Sequence, residues 1–122
     1  MTNNEKILGY IGLARKAGKI FFGSQSCEDA ILRKKIKLII VAEDAADRTK
    51  RNFEMLCSNN HIPFETFGKI IEISKCIGQN NKAIIGIKDK NLADAILKII
   101  NGGEFIGESK NAWNSKKNGS NQ

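Results

Sequence analysis

Residues 19–29, KIFFGSQSCED, combine residue types that can bind an anion at the start of a helix. A lysine precedes a short apolar run, and glycine, two serines and a glutamine then stand where a helix is expected to begin. The unpaired N–H groups of a helix N-terminus attract phosphate, and Gly23 allows close approach of a ligand to the backbone. The side chains of Ser24, Gln25 and Ser26 can donate to phosphates or to base edges.

The same stretch also fits an ordinary turn from a strand into a helix. In that interpretation Ser24 or Ser26 caps the second helix. Glu28 and Asp29 then occupy its first turn, where the helix macrodipole favours acidic side chains. Two acids so close to the turn weigh against a phosphate there, and the sequence alone leaves both interpretations open.

A second polar group follows the apolar run at residues 37–42. Glu43 and Asp44 can be read as an acid–base pair, but adjacent residues of a strand point to opposite faces. Asp44 can equally cap a helix that begins near Ala46. No nucleophile stands near His61, and the motifs GxxxxGK[ST], GxGxxG and GxSxG are all missing from the sequence. We therefore expect a binding protein with no cofactor rather than an enzyme.

The three cysteines do not form a metal-binding pattern. Cys27, Cys57 and Cys76 are widely spaced, whereas a structural zinc site needs four ligands at close spacing. Buried free thiols are typical of a reducing compartment, so we expect a cytoplasmic protein. The apolar run at residues 7–14 is too short to span a bilayer, which predicts that no membrane is bound.

The charge distribution favours an anionic partner. The 122 residues include 20 Lys and Arg against 13 Asp and Glu, a net charge of +7. Residues 1–37 hold eight basic and three acidic residues, so +5 falls in the first third of the chain. Nucleic acid is the commonest partner of a small basic domain. Sixteen lysines against four arginines also fit a bias in genome base composition, so charge alone does not decide between the two.

Apolar periodicity predicts that helices and strands alternate along the chain. Strands are expected near residues 20–22, 37–42, 64–67 and 83–87, with helices before, between and after them. Gly18 and Gly78 stand where helices end, and Asp89 stands where the last helix begins. This order predicts a three-layer α/β/α sandwich in one domain, residues 1–103. Few large apolar residues follow, so residues 104–122 are expected to form a mobile polar tail.

The order of these segments resembles the kink-turn RNA-binding family of ribosomal proteins, L-seven-Ae and L-thirty-e, and in particular its small bacterial YlxQ-like members. The matching segments are LGYIGLARKAGKIFFG (8–23), KIKLIIVAEDAADRTK (35–50), CSNNHIPFETFG (57–68) and ISKCIGQNNKAIIGI (73–87). The second is the most specific, because a basic lead-in and a strand end in Ala-Glu-Asp at the right distance after the glycine. With the final helix, the resemblance covers about residues 4–101.

The resemblance implies a three-layer α/β/α domain with a mixed four-stranded sheet. It also implies a non-catalytic role in translation or in another ribonucleoprotein, namely binding a sharply bent RNA internal loop. The family's RNA surface combines the turn after the first strand, the acidic end of the next strand and the loop before the last strand. Here these places hold Gly23, Ser24, Gln25 and Ser26, then Glu43 and Asp44, then Gly78 to Lys82 with Ala83.

Individual roles follow from the chemistry of these side chains. Lys19 and Lys82 are expected to contact phosphates, while Ser24, Gln25 and Asp44 face the bases. A carboxylate at this edge can accept a hydrogen bond from a base amino group or orient a neighbouring lysine. The unstacked bases of an RNA bend offer such edges.

The chain departs from the family's kink-turn motif, in which Asn and Glu follow the glycine and a Lys stands three positions later. Gln25, Ser26 and Asp29 occupy these positions, so one acid is lost and one charge is reversed. The first hypothesis is a monomeric protein that binds ribosomal RNA or another kink-turn RNA, with ribosomal proteins as further partners. The alternative is a protein-interaction module of the same fold that has lost specific kink-turn recognition.

Overall fold

The computed structural model describes residues 1–102, in which helices and strands alternate. The elements are α1 (Asn3–Lys16), β1 (Ile20–Phe22), α2 (Ser24–Leu32), β2 (Leu38–Val41), α3 (Asp47–Asn59), β3 (Phe64–Thr66), α4 (Ile70–Cys76), β4 (Ile84–Ile87) and α5 (Lys90–Ile100). The alternation expected from apolar periodicity is confirmed. The expected tail, residues 104–122, lies outside the described residues, and so does the proposed domain boundary at Gly103.

The four strands form one mixed sheet in the order β1-β4-β2-β3. β4 is antiparallel to both β1 and β2, whereas β2 and β3 are parallel. Every residue of the two central strands is buried, because helices cover both faces of the sheet. The expected α/β/α architecture with a mixed four-stranded sheet is therefore confirmed.

Two apolar clusters attach the helical layers to the sheet. The first contains buried residues of α1, α4 and α5 together with Leu38 and Ile40 of β2. The second contains buried residues of α2 and α3 together with Ile39 and Val41 of the same strand. Because alternate residues of a strand point to opposite faces, β2 supplies both clusters and fixes the two layers relative to each other.

Two of the cysteines belong to the second cluster. Cys27 of α2 and Cys57 of α3 are fully buried, and burial raises the pKa of each thiol to about 12. Burial also raises the pKa of the half-buried Cys76 thiol. Thiols of this kind stay protonated near neutral pH and pack as small apolar side chains, as expected for Cys27 and Cys57.

Within residues 1–102, no group of three or more His, Cys, Asp or Glu side chains is placed to hold a metal ion. The helices of that same range are all too short or too polar to cross a membrane.

The start of α2 differs from the prediction of a serine cap. Gly23 is the N-cap residue, and no side chain caps the helix. Because α2 begins at Ser24, Glu28 and Asp29 lie beyond its first turn, contrary to expectation. The reason is the backbone of Gly23, whose φ of 90° and ψ of 155° turn the chain directly from β1 into α2.

Other expected helix ends are confirmed. Gly18 and Gly78 have φ values of 70° and 68° and follow the last residues of α1 and α4, where a left-handed conformation ends a helix. Asp89 caps α5, since its Oδ1 accepts from the N–H of Leu92 at 2.9 Å.

Gly86 lies in the centre of β4, and a larger residue there is expected to disturb the core. Its position pairs with Phe21 of β1 and with Ile39 of β2. A Cβ atom at Gly86 would overlap Cδ1 of Ile36 and lie 3.3 Å from Cδ1 of Ile39. Gly86→Ala should therefore lower the free energy of unfolding by about 1 kcal/mol, because buried isoleucines have to move.

A compensating variant tests this explanation. Ile36→Val removes the overlapping methyl group, so the double variant with Gly86→Ala should lose less stability than the sum of the two single variants. Urea unfolding of the wild type, both single variants and the double variant measures this coupling. Strictly additive losses would contradict the assigned overlap.

Candidate nucleic-acid interface

The ends of three strands bring most of the expected site residues to one edge of the sheet. The N–H of Gly23 donates to the carbonyl of Ile84 at 2.9 Å, and the N–H of Ala42 donates to the carbonyl of Ala83 at 2.8 Å. The C-terminal ends of β1 and β2 therefore flank the N-terminal end of β4, because β4 is antiparallel to both. We call residues 23–26, 42–44 and 78–83 the strand-end surface.

Lys19 lies outside the strand-end surface, although the sequence placed it beside Gly23. Its carbonyl accepts from the N–H of Lys88 at 2.8 Å, at the opposite end of β1. At about 3.3 Å per residue, Lys19 and Gly23 are about 13 Å apart along the strand. An extended strand carries its two ends to different parts of the surface, so Lys19 and Gly23 lie apart, and the contact of Lys19 with a phosphate stays a prediction.

The turn into α2 presents polar groups to solvent. Gly23 is half-buried, whereas Ser24, Gln25 and Ser26 are exposed. The first N–H groups of a helix have no partner within the helix, and here no side chain caps them. The backbone and the three side chains can therefore donate to an anion or to a nucleobase.

The acidic end of β2 is tied to the start of α4. Asp44 Oδ1 accepts from the N–H of Ile70 at 2.8 Å, and Glu43 Oε1 lies 3.8 Å from Nζ of Lys69. The sequence offered Asp44 as the cap of the helix near Ala46, but Ala46 itself is the N-cap of α3 and no side chain caps that helix. Asp44 therefore holds α4 in place, in addition to any contact with a ligand.

The loop from Gly78 to Ala83 is held by Ser74, the buried polar residue of α4. Ser74 Oγ accepts from the N–H of Lys82 at 2.8 Å and donates to the carbonyl of Lys82 at 3.2 Å. The N–H of Gln79 donates to the carbonyl of Ser74 at 2.8 Å. These three bonds fix the loop at both of its ends and set the position from which the Lys82 side chain projects.

Arg15 also reaches this edge, and the sequence analysis did not identify it. Its Nε donates to the carbonyl of Ile77 at 3.0 Å, and its guanidinium carbon lies 5.2 Å from the ring centroid of Phe22. Nζ of Lys82 lies 5.8 Å from the same centroid. The hydrogen bond joins residues 62 positions apart, so no local pattern of residue types could have indicated it.

The fold and this edge define a class of small α/β/α domains that present polar loops at one end of a mixed sheet. The model of the Ribosomal protein L7Ae/L30e/S12e/Gadd45 family matches residues 5–96, and the chain belongs to this family. The resemblance seen in the four sequence segments is thereby confirmed.

Two relatives carry the name RNA-binding protein YlxQ. The protein from Enterococcus faecium is 35% identical over 101 residues, which are 82% of this chain and 96% of the relative. The protein from Bacillus subtilis (strain 168) is 21% identical over 90 residues, which are 74% of this chain and 90% of the relative.

Solved structures share the fold. A protein with unknown function from Bacillus halodurans C superposes with a TM-score of 0.76 at 26% identity, over 79% of this chain and 97% of that chain. The Giardia lamblia 15.5kD RNA binding protein superposes with a TM-score of 0.68 at 16% identity, over 81% of this chain and 85% of that chain. The second likeness concerns the fold alone.

Proposed function

We propose that this protein is a non-catalytic RNA-binding protein that binds a bent, structured RNA through the strand-end surface, in the ribosome or another ribonucleoprotein. The observation that carries the proposal is the meeting of Gly23, Ala42 and Ala83 at one edge of the sheet through backbone hydrogen bonds. Membership of the family and the names of the two YlxQ relatives support RNA as the ligand.

The chemistry of the strand-end surface suits RNA. Exposed Ser24, Gln25 and Ser26 supply donors at a helix start, and Lys82 supplies a positive charge. Glu43 supplies an acceptor for a base amino group, since its contact with Lys69 is long and exposed. Phosphate contacts then position the RNA, and a few side chains read bases that are unstacked at a bend.

The expected binding mode follows from Ser26 and Asp29, the two positions where an acid of the family's kink-turn motif is lost and a charge is reversed. Asp29 is exposed on α2, the helix that begins with these donors, where its negative charge repels a nearby phosphate. We therefore expect recognition of the shape of a bend, with weaker discrimination between a kink-turn and other bent RNAs.

A salt titration with two RNAs tests the proposal. A kink-turn RNA and a matching duplex without the internal loop are followed by fluorescence anisotropy at several salt concentrations. For the wild type, log K should fall linearly with log salt, and the kink-turn should bind more tightly than the duplex. Gln25→Ala and Lys82→Gln should weaken binding, whereas Lys98→Gln, an exposed charge on α5, should have a much smaller effect.

Each outcome separates the candidate functions. Equal binding of both RNAs would keep RNA binding and remove recognition of the bend. An absence of binding at low salt would remove the RNA proposal. If RNA does not bind and proteins co-purify with the wild type but not with the Gln25 and Lys82 variants, the protein-interaction module is favoured.

A further inference from the structure

Two cations contact the ring of Phe22, Lys82 from within the strand-end surface and Arg15 from beside it. The guanidinium carbon of Arg15 and Nζ of Lys82 lie 5.2 Å and 5.8 Å from the centroid of the same Phe22 ring. Within residues 1–102, neither cation forms an ion pair with an acidic side chain. Each cation contacts the ring without a neutralising carboxylate in that range, so an anion bound at either one gains a favourable electrostatic interaction.

The Arg15 side chain is held in one orientation. Its Nε donates to the carbonyl of Ile77, which leaves the N–H groups of both Nη atoms for a ligand. The Phe22 ring packs against the first apolar cluster, so the surface beneath the guanidinium is anchored in the core. A planar fork that is already oriented can bind two phosphate oxygens at once with little loss of side-chain entropy.

Lys82 approaches the ring from a fixed point of the backbone. Both backbone polar groups of Lys82 are bonded to Ser74 Oγ. The half-buried lysine side chain therefore starts from a defined position and supplies a point charge 5.8 Å from the centroid of the ring that the guanidinium also contacts.

We infer that Arg15 and Lys82, held over Phe22, form a phosphate-binding site that extends the strand-end surface to the end of α1. The site takes one backbone phosphate of the RNA, with two oxygens on the Arg15 fork and the Lys82 ammonium beside them. The inference rests on the proposed function, because the phosphate belongs to the bound RNA. A purely structural Arg15, which only bonds the carbonyl at the end of α4, would affect stability and leave the salt dependence of binding unchanged.

The salt dependence of RNA binding distinguishes these roles. Arg15→Gln should reduce the slope of log K against log salt by about 1 and lower the affinity about tenfold at low salt. Arg15→Lys keeps the charge and loses the fork, so it should keep the slope and lose part of the affinity. Arg33→Gln is the matched control, because Arg33 is an exposed arginine at the other end of α2.

The outcomes separate this inference from the proposed function. If the wild type binds RNA and the salt slopes of Arg15→Gln and Arg33→Gln are equal, the phosphate site is overturned and RNA binding stays in place. Thermal unfolding checks that each variant is folded. Should Arg15→Gln be unfolded, Arg15→Lys tests the site instead: a lower affinity at an unchanged slope supports the fork, and an unchanged affinity overturns it.

Should the wild type not bind RNA, inorganic phosphate tests the site directly. The Arg15 Nε–H signal in the NMR spectrum should shift when phosphate replaces chloride at constant ionic strength. The Arg33 Nε–H signal serves as the internal control. Equal shifts at both arginines would show nonspecific ion binding and overturn the inference.

Discussion

Replacing Gly23 by alanine is expected to lower the free energy of unfolding by about 1–3 kcal/mol and to weaken RNA binding. The φ of 90° and ψ of 155° at Gly23 lie in a region that residues with a Cβ atom rarely adopt. A Cβ there would meet no atom within 4 Å, so the cost comes from backbone strain rather than from a clash. Relief of the strain moves the start of α2 and loosens the bond from the Gly23 N–H to Ile84.

Gly9→Ala is the matched control for this prediction. Gly9 is exposed within α1, and a Cβ there would also meet no atom within 4 Å. Because its backbone is helical, alanine should raise the free energy of unfolding by about 0.5–1 kcal/mol. Urea unfolding and fluorescence anisotropy with the kink-turn RNA measure both effects. A Gly23→Ala protein as stable as the wild type would show that the turn relaxes at no cost.

The elements of the fold could be predicted because their signals are local. The buried runs of β2 and β4 are consecutive apolar residues. At the helix ends, a hydrogen bond to a nearby N–H favours Asp89 and a positive φ favours Gly78. The order of the strands has no such signal, since β1 pairs with β4 from the far end of the chain. Only the resemblance to the family indicated that the sheet is mixed.

Residues of the candidate site could be predicted where they belong to a single turn, but not where contacts between distant elements position them. Gly23 was identified because a glycine between a strand and a helix implies a special backbone. The bond from the Ile70 N–H to Asp44 joins residues 26 positions apart, and the bond from Arg15 to Ile77 spans 62. Lys19 is close to Gly23 in sequence but lies at the opposite end of β1, because an extended strand separates its two ends.

Ser74→Ala is expected to lower the free energy of unfolding by about 1–3 kcal/mol, because it leaves two partly buried backbone groups of Lys82 without their partner. The loop between α4 and β4 should then open more often, so the Lys82 N–H should exchange with solvent faster. Ser58→Ala, at an exposed serine of α3, should change stability by less than about 0.5 kcal/mol. Unchanged exchange at Lys82 would contradict the assigned role of Ser74.

The effect of Ser74→Ala on RNA binding should differ in kind from that of Arg15→Gln. Ser74 carries no charge, so its loss should lower the affinity by raising the entropy cost of ordering the loop, at an unchanged salt slope. Removal of Arg15 takes away a charge and should reduce the slope itself. Salt titrations of both variants with one RNA therefore separate the part of binding that depends on loop geometry from the part that depends on phosphate charge. A reduced slope for Ser74→Ala would contradict this separation, since only a lost ionic contact changes that quantity.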